Sequence, residues 1–183
     1  SGLSGNFYLH TGRQLDSALT ISGTSALCLN GHTLTGSGSN PVVTVNSGGA
    51  LTLYDCSTDQ AGVISGSVTS NGAFTMNSGT ITGGVMGSGS FTMSGGYLGG
   101  NIENTGAVSL TGGYFASSPS GFLTDGGYTT VNLSADTNHY GDTGYKDGYP
   151  YAVYQNGNTE GYRVSDVSIT YGSTYTPEVS GTT

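Results

Sequence analysis

Three consecutive segments of the chain repeat one pattern at a constant step. FTMNSGTITGGVMGSGS begins at Phe74, FTMSGGYLGGNIENTGA at Phe91 and VSLTGGYFASSPSGFLT at Val108, so the step is 17 both times. A period of that size describes a unit too small to bury an apolar face by itself, so neighbouring units must stack. The preceding unit holds half of the register. Gly62-Val63-Ile64 stands one such step before Gly79-Thr80-Ile81, whereas Leu51-Thr52-Leu53 stands 23 before Phe74, which places a six-residue insertion around Asp55 to Gln60. Further upstream the rhythm lengthens. Leu19-x-Ile21 and Leu27-x-Leu29 return as Val43-x-Val45 and Leu51-x-Leu53, a step of 24 for each pair.

Inside every unit the short runs alternate apolar, small polar, apolar, as in Val43-Thr44-Val45 and Phe91-Thr92-Met93, the two-residue period of a strand. Glycine or asparagine ends each run after three to five residues, too soon for a helix. Short strands that return to one phase at intervals of about 17 to 24 residues describe an all-β chain, a single-domain parallel β-helix or β-solenoid. Equivalent inward side chains then pile into files. Phe74, Phe91 and Val108 form one, Met76, Met93 and Leu110 a second, and Ile64, Ile81, Leu98 and Phe115 a third. About seven coils are expected over residues 19–130, with an N-terminal cap over 1–18, a tyrosine-rich C-terminal cap over 131–175 and a linker-like tail over 176–183.

Composition narrows the partners. The chain has 183 residues, with 3 Lys or Arg against 11 Asp or Glu and a formal charge of −8. Three cations cannot neutralise a phosphate backbone or an anionic membrane surface, so nucleic acid and a basic membrane face are excluded. No apolar run approaches the length of a membrane span, and no cationic start precedes a short apolar stretch, so neither a transmembrane helix nor a signal peptide is expected.

LCLNGHTLTGSG (27–38), VVTVNSGGALTLYDCS (42–57) and GGYFASSPSGFLTDGGY (112–128) carry a family likeness. They resemble the pectate-lyase-like right-handed β-helix repeats of large secreted or wall-attached proteins of gut Gram-positive bacteria, over roughly residues 15–130. The resemblance implies right-handed winding and an extracellular setting. It also implies that Asn30 turns inward to hydrogen-bond a backbone corner. It assigns no activity, and the tyrosine-rich segment after residue 128 departs from its pattern.

Catalytic machinery is sparse. Glu103 is the one acid or base between residues 60 and 124, and His10, His32 and His139 are scattered. Asp55 and Asp59 share the inserted loop, where acidic side chains are expected to be solvated, and no triad or metal cluster is visible. Asp136 to Asp147 has partial spacing for an acidic calcium loop, but Tyr140 takes a ligand position and Gly148 and Pro150 break the helix that should follow, which favours an ordinary polar loop. For Cys28 and Cys56, a 24-residue coil stacks Cys28 on Thr52 and leaves Cys56 four residues along, beyond disulfide reach, so free thiols are favoured. Only a fold-back at Tyr54-Asp55 would bring them together.

The candidate ligand-binding residues are aromatic. With Ile81, Leu98 and Phe115 inward, Thr80, Tyr97 and Tyr114 face out, and Tyr97 stacks on Tyr114 as a platform for a sugar face or as a plain cross-strand pair. A second group, Tyr140, Tyr145, Tyr149, Tyr151 and Tyr154, interleaved with Asp142, Asp147 and Asn156, belongs either to a binding loop or to a packed cap. Nine of the 13 tyrosines follow residue 127. The leading expectation is a non-catalytic, adhesin-like module that recognises a glycan or a host surface protein, needs no cofactor and forms a monomeric part of a larger chain. A stalk or spacer is the alternative. A carbohydrate-active enzyme and an ice-binding face on Thr52, Thr75 and Thr92 are weaker readings.

Overall fold

The computed structural model describes residues 2–38, 41–123, 126–134 and 144–156. They form a parallel β-solenoid of about six turns in which a single 3-10 turn, Ser120–Phe122, is the only helical element among the described residues. Each complete turn presents three short strands. The first face starts on the opening residues of the long strand Leu19–Cys28 and continues through Val43–Val45, Val68–Ser70, Val85–Gly87 and Ile102–Asn104. The second starts on the closing residues of Leu19–Cys28 and continues through Ala50–Tyr54, Ala73–Met76, Ser90–Met93 and Val108–Leu110. The third runs Arg13–Gln14, Thr33–Thr35, Val63–Ser65, Thr80–Ile81, Tyr97–Leu98 and Tyr114–Phe115. Leu3–Tyr8 pairs in parallel with Leu19–Cys28 and forms the outermost N-terminal rung.

The 17-residue register holds on all three faces. Phe91 pairs with Phe74 and Val108, Met93 with Met76 and Leu110, and Leu98 with Ile81 and Phe115. These files are the core. Phe74 and Phe91 are buried and stack with centroids 5.4 Å apart at an interplanar angle of 14°, an offset arrangement that aromatic rings favour. Val108, on the last rung, is only half-buried because no further coil covers it.

The corner between the first and second faces explains a file of glycines. A Cβ on Gly89 would stand 1.8 Å from the Gly72 carbonyl oxygen, and one on Gly106 would stand 2.0 Å from that of Gly89. Successive backbones pass too closely there for any side chain.

The structure corrects three expectations. There are about six turns, because the first is only partly built from Leu3–Tyr8 and Arg13–Gln14 and the chain leaves the solenoid after Phe115. Thr80 is buried, since its outward file sets it between the larger Val63 and Tyr97. Cys28 and Cys56 form a disulfide, with Cα atoms 5.9 Å apart. The 24-residue offset applies to the first face only, where Leu19 pairs with Val43. On the second face Cys28 pairs with Tyr54, an offset of 26 that brings Cys56 within two residues of the pairing position.

The C-terminal end is closed by an antiparallel hairpin. Tyr128–Asn132 pairs with Tyr151–Gln155, which pairs in turn with Tyr114–Phe115 and extends the third face. Ala152 and Val153 within this hairpin, and Leu133 directly after its first strand, are buried. The cap is therefore built on a reversal of strand direction, which stops the parallel stack.

Candidate binding surfaces

Tyr97 and Tyr114 stack as their register requires, with centroids 5.1 Å apart at 20°. Their outer side is not open. The segment from Gly144 to Tyr149 crosses it as a strap. The Tyr97 hydroxyl donates to the Gly144 carbonyl at 2.7 Å, Tyr149 meets Tyr97 edge-on at 5.2 Å, and Lys146 Nζ sits 5.0 Å from the Tyr97 centroid and 5.7 Å from that of Tyr149. A Cβ on Gly144 would strike the Tyr114 hydroxyl at 2.0 Å, so the backbone lies directly against that ring. The two tyrosine groups seen separately in the sequence are thus one cluster. Burial raises the Tyr149 phenol above its ordinary pKa of 10.0, since a phenolate there would lose hydration.

Tyr151 is half-buried, pairs with Phe115 and packs on the core, which makes it part of the cap. Tyr145 and Tyr149 are half-buried, and Asp147 is exposed on the strap. Tyr140 and Asp142 lie outside the described residues, as do Asp136 and most of the candidate calcium loop. Among the described residues no three His, Cys, Asp or Glu side chains converge to hold a metal ion. The outward threonines do line up, Thr52 on Thr75 on Thr92 on Ser109, but the parallel file beside them is Ala50, Ala73 and Ser90.

A different aromatic surface emerges at the N-terminal end of the second face. Tyr8 pairs with Cys28, which pairs with Tyr54, so the three occupy one outward file with the disulfide cysteine in the middle. Tyr8 is 51 % and Tyr54 40 % exposed, the most open tyrosine or phenylalanine rings among the described residues. Their rungs are two strand spacings apart, about 9.6 Å. His10 meets Tyr8 edge-on at 4.9 Å. The sequence concealed this site, because Tyr8 lies outside the repeats and the offset of 26 that aligns Tyr54 with Cys28 departs from the local period.

The loop beside this surface is fixed by a carboxylate. Asp55 is buried, contrary to the expected solvated loop tip. Its Oδ1 accepts from the Gly31 amide at 2.8 Å, the Ser57 amide at 3.2 Å and the Ser57 hydroxyl at 3.0 Å, and its Oδ2 accepts from the Gly62 amide. Burial by itself would raise the pKa, but the bonds from Gly31, Gly62 and Ser57 outweigh it and hold the carboxyl below 3.8. A group kept ionised and saturated with donors is structural. Asp59 accepts from the Ala61 amide within the same loop. Asn30, at φ 50°, donates to the Leu9 carbonyl at 3.2 Å, the corner contact its motif implied, and His32 closes that corner through its amide to the Leu29 carbonyl.

No protein-family pattern, curated protein or solved structure matches the chain.

Proposed function

We propose that this chain is a non-catalytic recognition module exposed outside the cell, an adhesin-like β-solenoid related to the pectate-lyase-like repeats its motifs resemble, whose ligand is a glycan. The observation that carries the reading is the open pair Tyr8 and Tyr54, held on alternate rungs by the β-ladder with the disulfide between them. Phenol rings with wet edges and apolar faces suit the hydrophobic face of a sugar ring, and the two-rung separation lets them engage different units of one chain. The disulfide supports an oxidising, extracellular setting. Lys146 and Asp147, exposed on the strap, offer a second rim for the same ligand class.

The test is a glycan array read with the full chain and with Tyr8→Ala, Tyr54→Ala and their double variant. Binding that falls at least tenfold in the double variant supports the reading. An array that stays blank, or a signal indifferent to both tyrosines, removes it. The spacer reading has its own support, since the strap occupies the Tyr97 and Tyr114 surface with the chain's own residues. A module that binds nothing but resists extension as a rigid rod would establish the spacer role.

A further inference from the structure

Where the solenoid ends, the chain folds over the corner between the third and first faces and leaves a cleft of about 270 Å³. Ile102, Phe115 and Phe122 supply its apolar lining, and Asn101, Glu103 and Ser118 its polar one. Ile102 and Glu103 belong to Ile102–Asn104, the last strand of the first face, and Phe122 comes from the 3-10 turn Ser120–Phe122 that takes the place of another coil. The site is thus a product of termination, which is why none of the earlier, equivalent corners carries these residues.

We infer that this cleft binds a single neutral pyranose ring, an assignment that rests on the glycan reading and deepens it. Size sets the first limit, since ligand pockets usually span about 300–1,000 Å³, and a cleft just below that range holds one ring and leaves the rest of a chain outside. Polarity sets the second. A carboxylate accepts two hydroxyls, a carboxamide donates and accepts, and a serine hydroxyl does both, so the three can read several adjacent sugar hydroxyls while the rings cover an apolar sugar face. Charge sets the third. Arg13 and Lys146 are the only cations among the described residues and neither lines the cleft, while Glu103 would repel a uronate, sulfate or phosphate. A simple alkylammonium would pair with Glu103 but offers no acceptor to the Asn101 amide, whereas sugar hydroxyls donate to the one and accept from the other. Glu103 is also the sole carboxyl group in the lining, whereas hydrolysis calls for two, so the ring is held and not cleaved.

The experiment is a titration of the full chain with methyl pyranosides, followed by amide shifts at residues 100–103, 117, 118 and 120–122, with glucuronate and ethylammonium as charged controls. Neutral pyranosides should bind in the millimolar range expected of so small a ligand, and glucuronate and ethylammonium should bind less well. Glu103→Gln and Phe122→Ala should each weaken binding about tenfold, and Ser118→Tyr, which fills the cleft from an exposed position, should abolish it. Unchanged circular dichroism would show that each variant is folded. Preference for ethylammonium or glucuronate, or equal affinity in Glu103→Gln, overturns the assignment. If no pyranoside binds while the array signal persists and depends on Tyr8 and Tyr54, the cleft assignment alone fails; if the array is blank as well, both readings fail.

Discussion

Replacing Asp55 by asparagine tests whether one buried carboxylate fixes the inserted loop to the solenoid. The wild-type group accepts four hydrogen bonds, three on one oxygen and one on the other. A carboxamide keeps one acceptor and turns the second atom into a donor, so either the Gly62 amide or the Gly31 and Ser57 donors lose their partner. A buried unpaired donor costs about 1–3 kcal/mol, and the bonds that remain lose the extra strength of a charged acceptor. The total is about 2–4 kcal/mol, or a fall in Tm of roughly 4–16 °C at 2–4 °C per kcal/mol for a chain of this size. Scanning calorimetry against pH adds a sign. A carboxyl held below its ordinary 3.8 contributes stability that is complete above that value and is lost as pH falls through its lower folded pKa. The gap between wild type and Asp55→Asn should therefore be widest at neutral pH and shrink below about pH 4. A gap of the same size at pH 3 and pH 7, or a neutral substitution, would refute the role assigned to this carboxylate.

Three further perturbations probe the stack. Phe91→Ala should cost about 3–5 kcal/mol, and a double-mutant cycle with Phe74→Ala should return a coupling of about 0.5–1.5 kcal/mol from the lost ring pair; additive effects would contradict the stacking. Breaking the Cys28–Cys56 bridge, which spans 28 residues, should cost about 3.5 kcal/mol by loop entropy, read as a denaturant midpoint shift that vanishes when both proteins are compared under reducing conditions. Gly89→Ala should prevent close stacking at the first corner and lower Tm more than Gly121→Ala, where a Cβ would meet nothing within 4 Å.

Periodicity is a local property of the chain, and the features that depend on it alone were legible in the sequence. Because a two-residue alternation decides which face is buried, the inward files through Phe74, Phe91 and Val108 and through Ile81, Leu98 and Phe115 could be named before any coordinates, as could the Tyr97–Tyr114 stack. The six residues inserted near Asp55 were countable for the same reason. Where the period changes, the sequence loses its ruler. The offset between the first two complete turns is 24 on one face and 26 on the next, and that difference of two residues preserves every inward position while moving Cys28 from Thr52 to Tyr54. Phase along the chain is unchanged by such a shift. The disulfide and the exposed Tyr8–Tyr54 file both hang on it.

The ends of the stack show the same division. Composition marks the tyrosine-rich segment as different from the coils, but only the fold reveals that Tyr151–Gln155 runs antiparallel to Tyr114–Phe115, that Gly144 to Tyr149 roofs the tyrosine pair, and that the residues after Phe115 enclose a cleft around Glu103. Residue order alone sets the repeating strand, the inward files and the glycine corners, because each depends on a few neighbours along the chain. Which unlike segments meet where the repeat is interrupted is a matter for the folded chain, since those contacts join parts that share no period.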